Sequence, residues 1–175
     1  MQLVFYPDPI LRRRAAPLQS VDAEVQARAK EMFRIMYDER GVGLAAPQVG
    51  WSVRLFVMNP AGAEEPERER VLINPVILER EGSVTDEEGC LSIPDVRGRV
   101  ERASRIVVES QDLDGNRKQE VFEDFEARII QHELDHLEGI LFISRLSEAE
   151  RLASRRNLKK LEKDYAKRQQ AKSSR

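Results

Sequence analysis

The apolar positions of this 175-residue chain fall into two periods, and the switches between them divide it into elements. In "SVDAEVQARAKEMFRIMYDER" (20–40), Val25, Ala29, Met32 and Met36 recur at helical spacing, as one stripe. Ser20 or Asp22 can cap this first helix, and Arg40–Gly41 end it. "GVGLAAPQVG" (41–50) is a loop bounded by glycines. "VRLFVMN" (53–59) is a strand, and "AGAEEPERER" (61–70) a polar, exposed connection. "VLINPVILE" (71–79) is strand-like, but Pro75 argues for a sheet edge or a bend. "RIVVESQDLDGNRKQEVFEDF" holds two strand-like runs around Asp114-Gly115, a hairpin signal.

A second helix is expected over Phe125 to Leu137, with Ile129, His132 and His136 on one face and Gly139 stopping it. A third runs from about Ser147 toward Lys167, with sparse apolar residues, and "AKSSR" at the end is expected to fray. Strands followed by helices, with no βαβ rhythm, give the class α+β. The length suits one domain: a body over residues 1–146, with 147–175 as its basic helical extension.

Charge adds one feature. Charged residues are 34% of the chain, above the usual share, yet the net charge is only −2. From Ser144 to Arg175 there are eleven Lys/Arg against four Asp/Glu, a local balance of +7. Such a tail can meet a polyanion, or simply be a solvated helix face. Cys90 is the only cysteine, so no intramolecular disulfide can form, which fits a reducing compartment. The N-terminal stretch lacks a signal-peptide apolar run, and no stretch reaches membrane-span length. A cytoplasmic protein with no membrane partner is expected.

The chemistry concentrates in "QHELDH" (131–136), which contains both histidines of the chain and reads H-E-x-x-H. Two histidines four apart on a helix can share one metal ion, with Glu133 beside them. Catalytic zinc-type sites take three protein ligands and keep one open position. The extended pattern H-E-x-x-H-x-x-G-x-x-H is met at Gly139 but broken by Phe142. The third ligand must then be an acid or the thiol. Glu148, Glu150 and Glu162 are downstream candidates, and Cys90 in "EEGCLSIP" (87–94) is the upstream one. Gly89 lets the backbone bend there, and Pro94 is expected to end that extended piece. A lone cysteine is more often a small buried hydrophobe.

"GVGLAAPQVG", "EEGCLSIP" and "QHELDH", in this order, resemble the three motifs of bacterial peptide deformylase. "YPDPILRRRAAPL" and "LINP" (72–75) are similar to that family as well, so the resemblance runs to about Leu146. It implies mainly antiparallel strands wrapped around the H-E-x-x-H helix. It implies Cys90, His132 and His136 as ligands of one divalent ion, Fe2+ natively, with Zn2+, Ni2+ or Co2+ as substitutes. Glu133 would be the acid/base, and Gln48 and the Leu91 N–H would meet the reacting carbonyl. Val42, Phe125 and Ile129 would wall a pocket for a methionine side chain, and Gly43 would hydrogen-bond the peptide. Glu88 would orient a histidine, while Asp135 could pair with Arg102. The implied reaction removes the formyl group from N-formylmethionyl nascent polypeptides, with a possible ribosome contact through the basic tail. Two other readings compete: a small zinc endopeptidase with a glutamate ligand, and an RNA-binding module with a structural metal.

Overall fold

The computed structural model describes the backbone of residues 1–173 and the side chains of 1–171. Three helices and seven strands follow one another as α1 (Ala23–Asp38), β1 (Gly43–Ala45), β2 (Leu55–Met58), β3 (Arg70–Glu81), β4 (Val84–Cys90), β5 (Ile93–Arg102), β6 (Arg105–Gln111), β7 (Arg117–Glu123), α2 (Asp124–Leu137) and α3 (Glu148–Ser173). One antiparallel sheet has the order β1-β2-β3-β6-β7, and β4 pairs with β5 in a separate hairpin. The α+β class and the hairpin at Gly115 agree with the sequence reading. Among the described residues no helix is long and apolar enough to cross a membrane.

The four residues of β2, "LFVM", explain the layering. All four are buried. Leu55 and Val57 join Val25, Ala29, Met32 and Met36 of α1 in one core cluster. Phe56 and Met58 face the other way, toward Ala127, Ile130 and Leu137 of α2. A strand covered on both faces needs a continuous apolar run, and this one has it. The Asp22 carboxylate caps α1 by accepting the Val25 N–H at 2.9 Å. Gly139 ends α2 at φ 72°, and a side chain there would collide with the Arg12 carbonyl.

The structure corrects or refines several sequence expectations. Of the two alternatives that Pro75 offered, the edge falls: β2 pairs with the first half of β3 and β6 mainly with its second. The bend at Pro75 is real, because the register shifts between Ile73 and Val76. Asn74 takes φ 50° there, and its side chain exchanges hydrogen bonds with the Leu18 backbone at 2.8 and 2.9 Å. That bulge lets proline sit in a central strand. The loop over 41–50 contains β1 and a 3-10 turn, Ala46–Val49. Pro94 does not end the extended piece; it is the second residue of β5. Finally, α3 packs onto the body despite its sparse apolar residues. Ser154 is buried, Leu158 and Leu161 join the cluster of Tyr6, Val96 and Phe142, and Glu162 accepts the Tyr6 hydroxyl at 2.8 Å. The helix continues to Ser173, so the fraying expected of "AKSSR" finds no support up to there, and its last two residues lie outside the described ones.

Candidate metal centre

Two elements bring the donors together. α2 packs against β1, β2, β6 and β7, with His136 and Glu133 buried on its inner side. The β4–β5 hairpin supplies Cys90 at its tip, where a register shift between Gly89 and Cys90 breaks the regular ladder. A bulge of this kind re-aims a side chain. Cys90, His132 and His136 each offer one ligand atom, and these atoms lie within 4.8 Å of one another. The Cys90 sulfur is 3.3 Å from His136 Nε2.

The surrounding bonds fix orientation. His132 Nδ1 lies 2.9 Å from Glu88 Oε2, which leaves Nε2 for the site. Glu88 is buried and also accepts two bonds from Arg102, at 2.9 Å each, and one from Arg128 Nη1 at 2.7 Å. Arg102 continues to Asp135 at 2.6 Å, and Asp135 is gripped again by Arg145 at 2.6 and 2.5 Å. Burial pushes the Glu88 carboxyl up, but Arg102 and His132 outweigh it and hold it well below the usual range. It therefore stays ionised beside the histidine.

The neighbouring groups respond oppositely. Burial raises Glu133 to about 7, offset only in part by His132. Its Oε2 is buried without a hydrogen-bond partner. Burial opposes protonation of His132, yet Cys90 and Glu88 overcome this and raise it to about 10. Burial, with the cationic His132 and Arg102, drives His136 well below its ordinary value. Two imidazoles 5.0 Å apart thus contend for one proton beside a thiol. A divalent cation resolves that contest, because it takes neutral imidazoles and a thiolate. The donor set fits such an ion, and a soft thiolate with two imidazoles suits iron or zinc.

Gln48 is buried next to the site. Its Oε1 accepts the Ala45 N–H at 2.8 Å, so its Nε2 is turned toward Ser92 Oγ at 3.1 Å and the Cys90 sulfur at 3.5 Å. Leu91 follows Cys90 in the hairpin turn. Both line a cavity of about 870 Å³, together with Val42, Gly43, Phe125 and Ile129. Ile129 is buried, whereas Phe125 is 52% exposed at the cavity mouth. Two of the three downstream glutamates are engaged elsewhere: Glu150 accepts the Arg99 N–H and Glu162 the Tyr6 hydroxyl. Sequence reasoning missed Arg128 and Ser92. Arg128 was within reach, since a residue four before His132 shares its helix face; Ser92 carried no signal.

The family model described as polypeptide deformylase matches residues 1–152. This chain belongs to the polypeptide deformylase family. A peptide deformylase from Acidobacterium capsulatum is 44% identical over 161 residues, covering 92% of this chain and 95% of that protein. One from Alkalilimnicola ehrlichii is 47% identical over 163 residues, covering 92% and 90%. Among solved structures, the peptide deformylase of Plasmodium falciparum superposes with TM-score 0.92 at 39% identity, covering 94% of this chain and 97% of that one. Peptide deformylase 1B of Arabidopsis thaliana gives 0.91 at 40% identity, covering 96% and 93%. The chain is therefore a peptide deformylase by family and fold, and its Cys90, His132 and His136 form a group that could hold a metal ion in this deformylase scaffold.

Proposed function

We propose that this deformylase hydrolyses the formyl amide of N-formylmethionyl nascent polypeptides in the cytoplasm, releasing formate and a free amino terminus. One observation carries the reading: three convergent soft and imidazole donors stand beside a buried carboxylate, Glu133, raised to about 7 and left with an unpartnered oxygen. A group with that pKa can both take and return a proton near neutral pH.

In this reading Cys90, His132 and His136 hold one divalent cation, Fe2+ natively, with Zn2+, Ni2+ or Co2+ able to replace it. When bound, such an ion lowers the pKa of water and polarises a carbonyl. Glu133 accepts the proton of the attacking water and hands it to the leaving amine. The Gln48 amide, pre-aimed by its bond from Ala45, donates to the carbonyl oxygen as that oxygen gains charge. The Leu91 N–H donates to the same oxygen. Val42, Ile129 and Phe125 receive the methionine side chain, and Gly43 binds the peptide backbone. The decisive experiment is formate release from formyl-Met-Ala-Ser by protein purified anaerobically. Absence of formate with one equivalent of metal bound refutes the reading.

A ribosome contact is proposed through α3. Its residues Arg151, Arg155, Arg156, Lys159, Lys160 and Lys163 are exposed, while its opposite face is held down by Ser154, Leu158 and Leu161. A docked helix presents those cations on a rigid support, and phosphate contacts weaken steeply with salt. Co-sedimentation with ribosomes at low and moderate salt tests this, for the full chain and for charge-reversed α3. Equal pelleting of both at low salt refutes it.

A further inference from the structure

The cavity wall along α2 changes character one turn below the metal donors. Phe125, Arg128, Ile129 and His132 all line the cavity, at spacings that share a helix face. Arg128 lies four residues from His132, roughly 6 Å along the axis. That is about the reach of a methionine side chain from the reacting end, with Val42 and Ile129 as the apolar stretch between.

Arg128 is only 7% exposed. Its guanidinium donates to Glu88 Oε1 at 2.7 Å, to the Val100 carbonyl at 2.9 Å and to the Val84 carbonyl at 2.7 Å. All three acceptors belong to the β4–β5 hairpin. A guanidinium has five N–H donors, so these bonds account for three of them. The cation is held in place, and donor capacity remains at a cavity wall. A thioether has little use for it, because its sulfur is a weak acceptor.

We propose that Arg128 is the hydrogen-bonding floor of the first-residue pocket, so that the site also takes formylated residues whose side chain ends in an acceptor oxygen, methionine sulfoxide above all. The inference rests on the deformylase reading given above. Methionine sulfoxide is the ordinary oxidation product of methionine, and its S–O oxygen is a strong acceptor on a side chain of nearly the same length. A wholly apolar pocket would bury that oxygen unpaired and reject it by roughly a hundredfold. A charged donor already desolvated and anchored removes most of that penalty. The bond cleaved is still the formyl C–N bond, and the sulfoxide leaves unchanged.

The test compares kcat/KM for formate release from formyl-Met-Ala-Ser, its methionine-sulfoxide counterpart and formyl-norleucine-Ala-Ser, using the metal-loaded full chain. The wild type should process the sulfoxide within about tenfold of methionine. Arg128→Met should widen the sulfoxide penalty by about tenfold or more, with the norleucine-to-methionine ratio unchanged, and Arg128→Lys should fall between. A wild-type sulfoxide penalty above about a hundredfold overturns the proposal, whether or not the variants fold. So does an equal sulfoxide penalty in Arg128→Met, which would leave Arg128 only its bonds to the hairpin. Formate from the methionine and norleucine peptides alone removes this inference and spares the deformylase reading; formate from none of the three removes both.

Discussion

Replacing Gly43 with alanine should cripple turnover while leaving the fold nearly intact. Gly43 opens β1 and pairs with Met58 of β2, so its backbone is held by the sheet. A Cβ there would meet Glu133 Cδ at 3.0 Å and Ile129 Cγ2 at 3.0 Å, with Glu133 Oε1 nearer still. Carbon atoms rest at about 3.5–4.0 Å, so the carboxylate must retreat by roughly 0.5–1 Å. Glu133 has little room, being buried on the side of a helix that packs against the sheet. A misplacement of that size at a reacting group costs up to about a hundredfold in rate. The overpacking itself should cost roughly 1–3 kcal/mol. The assay is kcat/KM for formate release, beside urea unfolding and metal content. We expect a loss of about thirty- to a hundredfold with metal content retained. Activity within threefold of wild type would show that Glu133 is free to move, and the claim that β1 sets its position would be wrong.

Glu133→Ala should keep its metal and lose nearly all turnover, since in the proposed reaction the carboxylate moves protons and does not bind the ion; metal loss in step with activity contradicts that role. Cys90→Ser should lower metal affinity and activity, because a hydroxyl is a harder and weaker donor than a thiolate; equilibrium dialysis decides it, and unchanged metal content would remove Cys90 from the ligand set. In the metal-free protein, Glu133 rises from 4.5 to about 7 on folding, so the folded state binds its proton more tightly. Its contribution is intact below pH 4.5 and is lost as pH climbs through about 7. Glu133→Gln should therefore gain stability relative to wild type between pH 5 and pH 8, by roughly 3 kcal/mol at most. Urea unfolding at the two pH values measures this, and a pH-independent difference would contradict it.

Two of the three candidate metal ligands were legible because they are local. His132 and His136 need only a helix to meet, and the period of α2 is written in its apolar positions. Cys90 was a different matter. Spacing alone left it level with Glu148, Glu150 and Glu162, and only the resemblance of three ordered motifs favoured it. The tertiary structure places it at the site, by folding back the β4–β5 hairpin whose register shift aims the sulfur. Pattern also left β3 open between an edge and a bend, because nothing local announces the bulge at Asn74 that lets Pro75 sit in a central strand. It did not show how α3 docks: its few apolar residues suffice because polar anchors help, with Glu150 accepting the Arg99 N–H and Asn157 donating to the Asp95 carbonyl.

The chain of bonds from the exposed Arg145 through the buried Asp135, Arg102 and Glu88 to His132 joins residues up to 57 positions apart along the sequence. The sequence suggested the pairings of Asp135 with Arg102 and of Glu88 with a histidine, but not that they form one continuous network reaching Arg128. Local periodicity determines which residues share a face. Which faces meet, and so which charges lose their water and shift their pKa, is decided only when distant elements close on one another.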